Sequence, residues 1–120
     1  MLNSFPRPIY LATLPVDMRK SFDSLAAIVK NSFHQDPLDG TFFVFINRTA
    51  DRLKILYWDR DGYALWYKRL EAGCFRIPLS VDGTQAVALV SAAQLAMILE
   101  GIEPIAVKQR KRFSLKQNSS

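Results

Sequence analysis

Three aspartates, Asp51, Asp59 and Asp61, stand close together in DRLKILYWDRDGYALWYKRLE, residues 51 to 71. Carboxylates grouped in this way can hold divalent metals and cleave a phosphodiester. Asp59 and Asp61, however, belong to DRDG, where aspartates commonly bond the backbone of a turn. A structural role is therefore the expectation for them, with a metal-dependent nuclease as the lesser alternative. The same stretch interleaves Arg52, Lys54, Arg60, Lys68 and Arg69 with Tyr57, Trp58, Tyr63, Trp66 and Tyr67. Cations can neutralise phosphates, and aromatic rings can stack bases. A hydrophobic hairpin with a solvated end explains the same composition.

Other chemistry has few candidates. His34 is the sole histidine and Cys74 the sole cysteine. A Cys-His pair would need the fold to bring them together, and the plainer roles are a helix-end histidine and a small buried thiol. A thiolate zinc cluster and an intrachain disulfide are excluded. No P-loop or dinucleotide fingerprint occurs, and no cofactor or metal is expected. In PVDMRKS, Asp17 could cap a helix, leaving Arg19 and Lys20 in its first turn. Cations there oppose the helix dipole, so they call for an acid or a phosphate as partner.

The charge has a location. The chain has 120 residues and a net charge of +5. Residues 104 to 120 hold Lys108, Arg110, Lys111, Arg112 and Lys116 with no acid, so the whole excess lies there. Residues 48 to 76 carry seven cations, including Arg48 and Arg76, against four acids, leaving +3. Basic charge at two places suits an anionic partner such as DNA. Five tail contacts would give a log-log salt slope of at most about −4.5. The start, MLNSFPRPIY, shows no secretory leader, and no apolar run approaches a membrane span. A cytoplasmic protein with no membrane association is expected.

The elements that must position these groups follow from periodicity. IYLATL (9 to 14) suits a strand. Met18, Phe22, Leu25, Ile28, Val29 and Phe33 form the stripe of a helix, capped by Asp17 or Ser21. TFFVFIN (41 to 47) is nearly all apolar, as in a strand buried on both faces. RLKILYW and YALWYKRL read as a hairpin through DRDG, with Gly62 accepting positive φ. CFRIPL (74 to 79) and TQAVALV (84 to 90) are further strands, Pro78 suggesting an edge or strand end. Ser91 and Gln94 form a capping box for a second helix, closed by Gly101. The predicted fold is α+β: a single twisted antiparallel sheet of five to six strands, with two helices packed on a face or end. Residues 1 to 107 are expected to form one globular domain and 108 to 120 a basic, mobile tail.

On the hairpin, alternation places Arg52, Lys54, Leu56 and Trp58 on one face of the first strand. Tyr63, Leu65, Tyr67 and Arg69 share a face of the second. The aromatic part near the turn is expected to pack, and the basic far end to face solvent.

The segments PVDMRKSFDSLAAIV, DPLDGTFFVFINR, DRLKILYWDRDGYALWYKRLEAGCFRIP and LAMILEGIE, taken in order, resemble the small accessory proteins of IS66-type insertion sequences. These are called TnpB and are distinct from the RNA-guided nuclease of the same symbol. The resemblance spans roughly residues 8 to 104. It is carried by Asp17, Arg19 and Lys20, and by Tyr57, Trp58, Asp59, Gly62, Trp66 and Tyr67. Leu14 and Ser21 stand where the family often has glycine, and Ile77 where it often has tryptophan. The resemblance implies a bacterial mobile element, a role beside a separate transposase, and no catalytic residues to carry over. The expected function is thus non-enzymatic, with DNA contacts through Arg48, Arg52, Lys54, Lys68, Arg69, Arg76 and the tail. The alternative is an adaptor that binds the transposase through its aromatic surface. The oligomeric state stays open.

Overall fold

The computed structural model describes residues 8–78 and 81–101. The basic tail, including Lys108, Arg110, Lys111 and Arg112, lies outside the described residues, as does the expected domain boundary at 107.

The apolar run Phe42–Ile46 forms β2 at the centre of a five-stranded sheet, where both of its faces are covered. Around it lie β1 (Ile9–Ala12), β3 (Arg52–Asp59), β4 (Gly62–Arg69) and β5 (Val87–Val90), in the order β4-β3-β2-β1-β5. The helices are α1 (Phe22–Asn31) and α2 (Ala92–Leu99). The class is α+β, with the expected two helices and, among the described residues, five strands of the expected five to six.

Three details differ from the sequence reading. First, β1 and β2 run parallel, so the sheet is mixed. The connection between them contains α1, and such a crossover returns the chain in the same direction. Second, CFRIPL is not a strand over its described residues. The Phe75 amide donates to the Ala50 carbonyl at 2.6 Å, and no ladder follows. Third, α1 begins at Phe22, so Met18, Arg19 and Lys20 precede it. Ser21 is its N-cap, and the Ser24 hydroxyl accepts the Ser21 N–H at 2.9 Å.

The helices take opposite faces. Leu25, Ala26 and Val29 of α1, with Phe33, pack on Ala12, Phe43, Phe45 and Leu56. Leu95 and Ile98 of α2, with Phe75, pack on Ile9, Leu11, Val44, Ile46, Leu53, Ile55 and Val90. The α2 capping box forms as expected: Ser91 Oγ accepts the Gln94 N–H, and Gln94 Oε1 accepts the Ser91 N–H. Gly101 closes that helix at φ 75°, and a Cβ there would meet the Cys74 carbonyl at 3.3 Å.

Candidate nucleic-acid interface

The β3–β4 hairpin closes on a two-residue loop, Arg60 and Asp61, with Asp59 opposite Gly62. The left-handed φ falls on Arg60 (58°) rather than on the glycine. Beside the loop, Trp58 and Tyr63 meet edge to face at 5.1 Å, and the Trp58 indole N–H donates to the Arg60 carbonyl at 3.1 Å. On the other face Tyr57 stacks on Phe42 at 4.5 Å, and Trp66 packs against the α2-side core. Burial pushes the phenols of Tyr57 and Tyr63 above their ordinary value. The aromatics near the turn therefore serve packing, as expected.

At the far end, Arg52, Lys54, Tyr67 and Arg69 share the α1 face. Lys54 departs from its expected role as a solvent-facing cation. It is only 6% exposed, and its ammonium donates to the carbonyls of Met18 and Lys20, each at 2.7 Å. It also lies 4.7 Å from the centre of the Tyr67 ring. An ammonium so placed has exchanged water for fixed dipoles and a π face. Lys54 thereby ties the loop before α1 to the sheet.

That loop carries its own clamp. Asp17 accepts the Arg19 amide at 2.8 Å and pairs with the Arg19 guanidinium at 2.7 Å. These bonds hold the Asp17 carboxyl down to about 2. Arg19 thus has an acid as its partner, yet its side chain remains 91% exposed.

The β2–β3 turn completes the site. Asn47 Oδ1 accepts the amides of Asp51 and Arg52, while Asp51 Oδ1 accepts from the Asn47 amide group and the Thr49 hydroxyl. Those side-chain bonds hold the Asp51 carboxyl below its usual range. The rigid turn projects Arg48 beside Arg52. Together with Arg19 they line an open groove of about 480 Å³, with Asp17, Met18, Asn47 and Thr49. Three cations against Asp17 leave a lining charge of +2. A second depression, lined by Arg52, Tyr67, Arg69 and Glu71, adjoins it through Arg52.

The remaining candidates separate. Lys68 lies opposite Leu53, on the α2 face. Arg76 is exposed, next to Phe75, which is buried on that same side. Of the expected set, Arg48 and Arg52 share the groove, Arg69 lies in the adjoining depression paired with Glu71 at 3.2 Å, Lys68 and Arg76 lie on the other side, and Lys54 is buried under the loop before α1. The sequence reading missed the Asn47–Thr49–Asp51 network. Polar side chains at alternate positions just before a strand are the signal that could have shown it.

The three aspartates do not gather in one place. Asp51 and Asp59 sit at opposite ends of β3, about 25 Å apart for a strand of that length. No group of three or more potential ligands gathers among the described residues. His34 follows α1 on one face of the sheet, with φ 55° at the helix end, while Cys74 precedes Phe75 on the other. Cys74 is exposed rather than buried. Among the described residues no helix is long and apolar enough to cross a membrane.

Fold and groove together define a small three-layer α+β protein that presents an arginine-lined groove at one end of its sheet. Residues 7–109 match the family model described as IS66 Orf2 like protein. The chain belongs to this family of insertion-sequence accessory proteins. It is 40% identical over 95 residues to the uncharacterized protein y4hO of Sinorhizobium fredii, covering 79% of this chain and 80% of that protein. It is 35% identical over 102 residues to y4jC of the same organism, also uncharacterized, covering 85% of each. No solved structure matches.

Proposed function

We propose that the protein is a non-enzymatic, cytoplasmic partner in transposition that holds DNA by its phosphates. The observation that carries this reading is the convergence of Arg19, Arg48 and Arg52 in one open groove. Phosphate contacts need cations on a surface the duplex can reach, with geometry that survives binding. The Asn47–Asp51 network and the Lys54 tether supply that rigidity. Arginine also suits phosphate because its planar guanidinium donates two parallel hydrogen bonds. Such contacts fix position and carry no base sequence. Three groove cations contribute at most about −2.7 to the log-log salt slope, separable from the tail.

The test is a salt titration of binding to insertion-sequence end DNA and to unrelated duplex, with the full chain and a chain ending at 107. Binding that survives removal of the tail and fades with salt supports the groove. No binding by the full chain at low salt rejects DNA contact. Co-purification with the transposase would then favour the adaptor reading.

A further inference from the structure

β4 is an edge strand, and among the described residues no strand pairs with its outer side. Asp59 and Gly62 close the two-residue loop as a hydrogen-bonded pair, so the ladder's alternation sets which groups point where. Ala64, Trp66 and Lys68 aim their N–H and C=O at β3. Tyr63, Leu65, Tyr67 and Arg69 aim theirs outward. The flanking bonds agree: the Leu70 amide donates to the Asp51 carbonyl, and the Asn47 amide to the Arg52 carbonyl on the other side of β3. Among the described residues, no backbone group pairs with the outward set.

Proteins usually blunt such an edge with proline, a bulge or spaced charges. β4 has none of these along its middle: eight consecutive pairs join it to β3 without a bulge, and its own cations, Lys68 and Arg69, sit at one end. The opposite edge, β5, has only four residues.

We propose that β4 pairs antiparallel with β4 of a second copy, centred on Leu65, to give a two-fold dimer with a continuous sheet. A two-fold axis relating adjacent antiparallel strands runs perpendicular to the sheet, so paired residues must share a face. The centre therefore falls on a residue. Leu65 has outward groups and allows hydrogen-bonded pairs of Leu65 with Leu65 and of Tyr63 with Tyr67. This register sets the two aromatics side by side, Ala64 beside the large Trp66, and Asp61 opposite Arg69 of the second copy. Centring on Trp66 instead sets Asp61 opposite Glu71, like charge against like, and Ala64 opposite Lys68. Directly opposed like charges oppose a pairing, and opposite charges favour it. Within one copy Arg69 pairs with Glu71 at 3.2 Å, an exposed pair that Asp61 of the second copy joins in the Leu65 register, so the acidic loop and the strand's far end are self-complementary there.

One consequence concerns the groove. The axis keeps both α1 helices, and both arginine grooves, on the same side of a ten-stranded sheet made from two of five. Arg69 then faces Asp61 of the second copy, leaving Arg19, Arg48 and Arg52 toward an anion. The dimer does not depend on the DNA reading.

Sedimentation of the full chain over a concentration series, up to its solubility limit, reads the association. Amide hydrogen exchange reads the edge. The expected result is a monomer–dimer equilibrium in which the Tyr63, Leu65 and Tyr67 amides gain protection with concentration, while those of Ala64 and Trp66 are protected throughout. Asp61→Arg is expected to weaken dimerisation about tenfold, and Asp61→Arg with Arg69→Asp to restore it to within about threefold. Both side chains are exposed, so the fold is retained. A monomer at every concentration overturns the proposal. So does a dimer whose outward amides stay unprotected, or one indifferent to Asp61→Arg.

Discussion

At the turn of the β3–β4 hairpin, Trp58 and Tyr63 close on each other beneath Arg60 and two aspartates; at the open end, Arg52, Lys54 and Tyr67 meet the loop before α1. Aromatic and charged side chains occur at both ends. At the turn the rings fill space and the charges are solvated. At the open end one cation is withdrawn from water to anchor a loop, and its neighbour two residues earlier faces a groove. The difference teaches that composition along a strand does not separate a structural cation from an interacting one. The partner element does, and here it is the PVDMRKS segment arriving from a distant part of the chain.

The contrast can be broken at its strongest point first. Lys54→Met keeps the volume and removes the donor from the Met18 and Lys20 carbonyls. A loss of about 3 kcal/mol in urea denaturation is expected, since bonds from a charged donor are lost from a buried site. Faster amide exchange at Arg19 should accompany it. A variant as stable as the parent would mean that Lys54 is no anchor. At the turn, Trp58→Ala removes a ring contact and a half-buried surface, with an expected loss of about 2 kcal/mol in the same measurement. Arg60→Gly should move the other way, gaining about 0.5 kcal/mol, because glycine accepts the left-handed φ that arginine holds at a cost.

The smallest effect sharpens the open end. The Asp17 carboxyl titrates near 2 against an ordinary 3.8. Its contribution to stability is therefore complete above about pH 4 and is lost as pH falls through 2. In Arg19→Ala the midpoint, followed by carboxyl resonances in an NMR titration, should rise toward 3.8. A midpoint that does not move would remove the clamp as its cause.

Much of this was legible in local pattern. The apolar strand expected over 41–47 and found at 42–46, the α2 capping box and the hairpin through DRDG each rest on neighbours in sequence, and each is present in the fold. What could not be read depends on distant partners. The parallel β1–β2 pairing follows from where α1 returns the chain. CFRIPL has strand-forming residues, but Phe75 is drawn under the α2-side core and bonds Ala50 instead of a strand. Lys54 reads as a surface cation until two carbonyls from before α1 are laid upon it. Lys68 and Arg52 look equivalent in sequence, and only the register shows that they point to opposite sides of the sheet. Arg19, expected in the first helical turn with an acid or a phosphate as partner, joins the groove because the helix starts later, at Phe22.

That last separation of faces also supplies the most direct measurement. Binding to duplex DNA is titrated with salt for the parent, for Arg48→Ala with Arg52→Ala, and for Lys68→Ala. All three proteins should unfold within about 0.5 kcal/mol of one another, since the altered side chains lie outside the core. The groove variant is expected to flatten the log-log salt slope by about 1.8, and Lys68→Ala to leave it unchanged. Equal flattening by Lys68→Ala, or an unchanged slope in the groove variant, would contradict a DNA contact centred on the arginine groove.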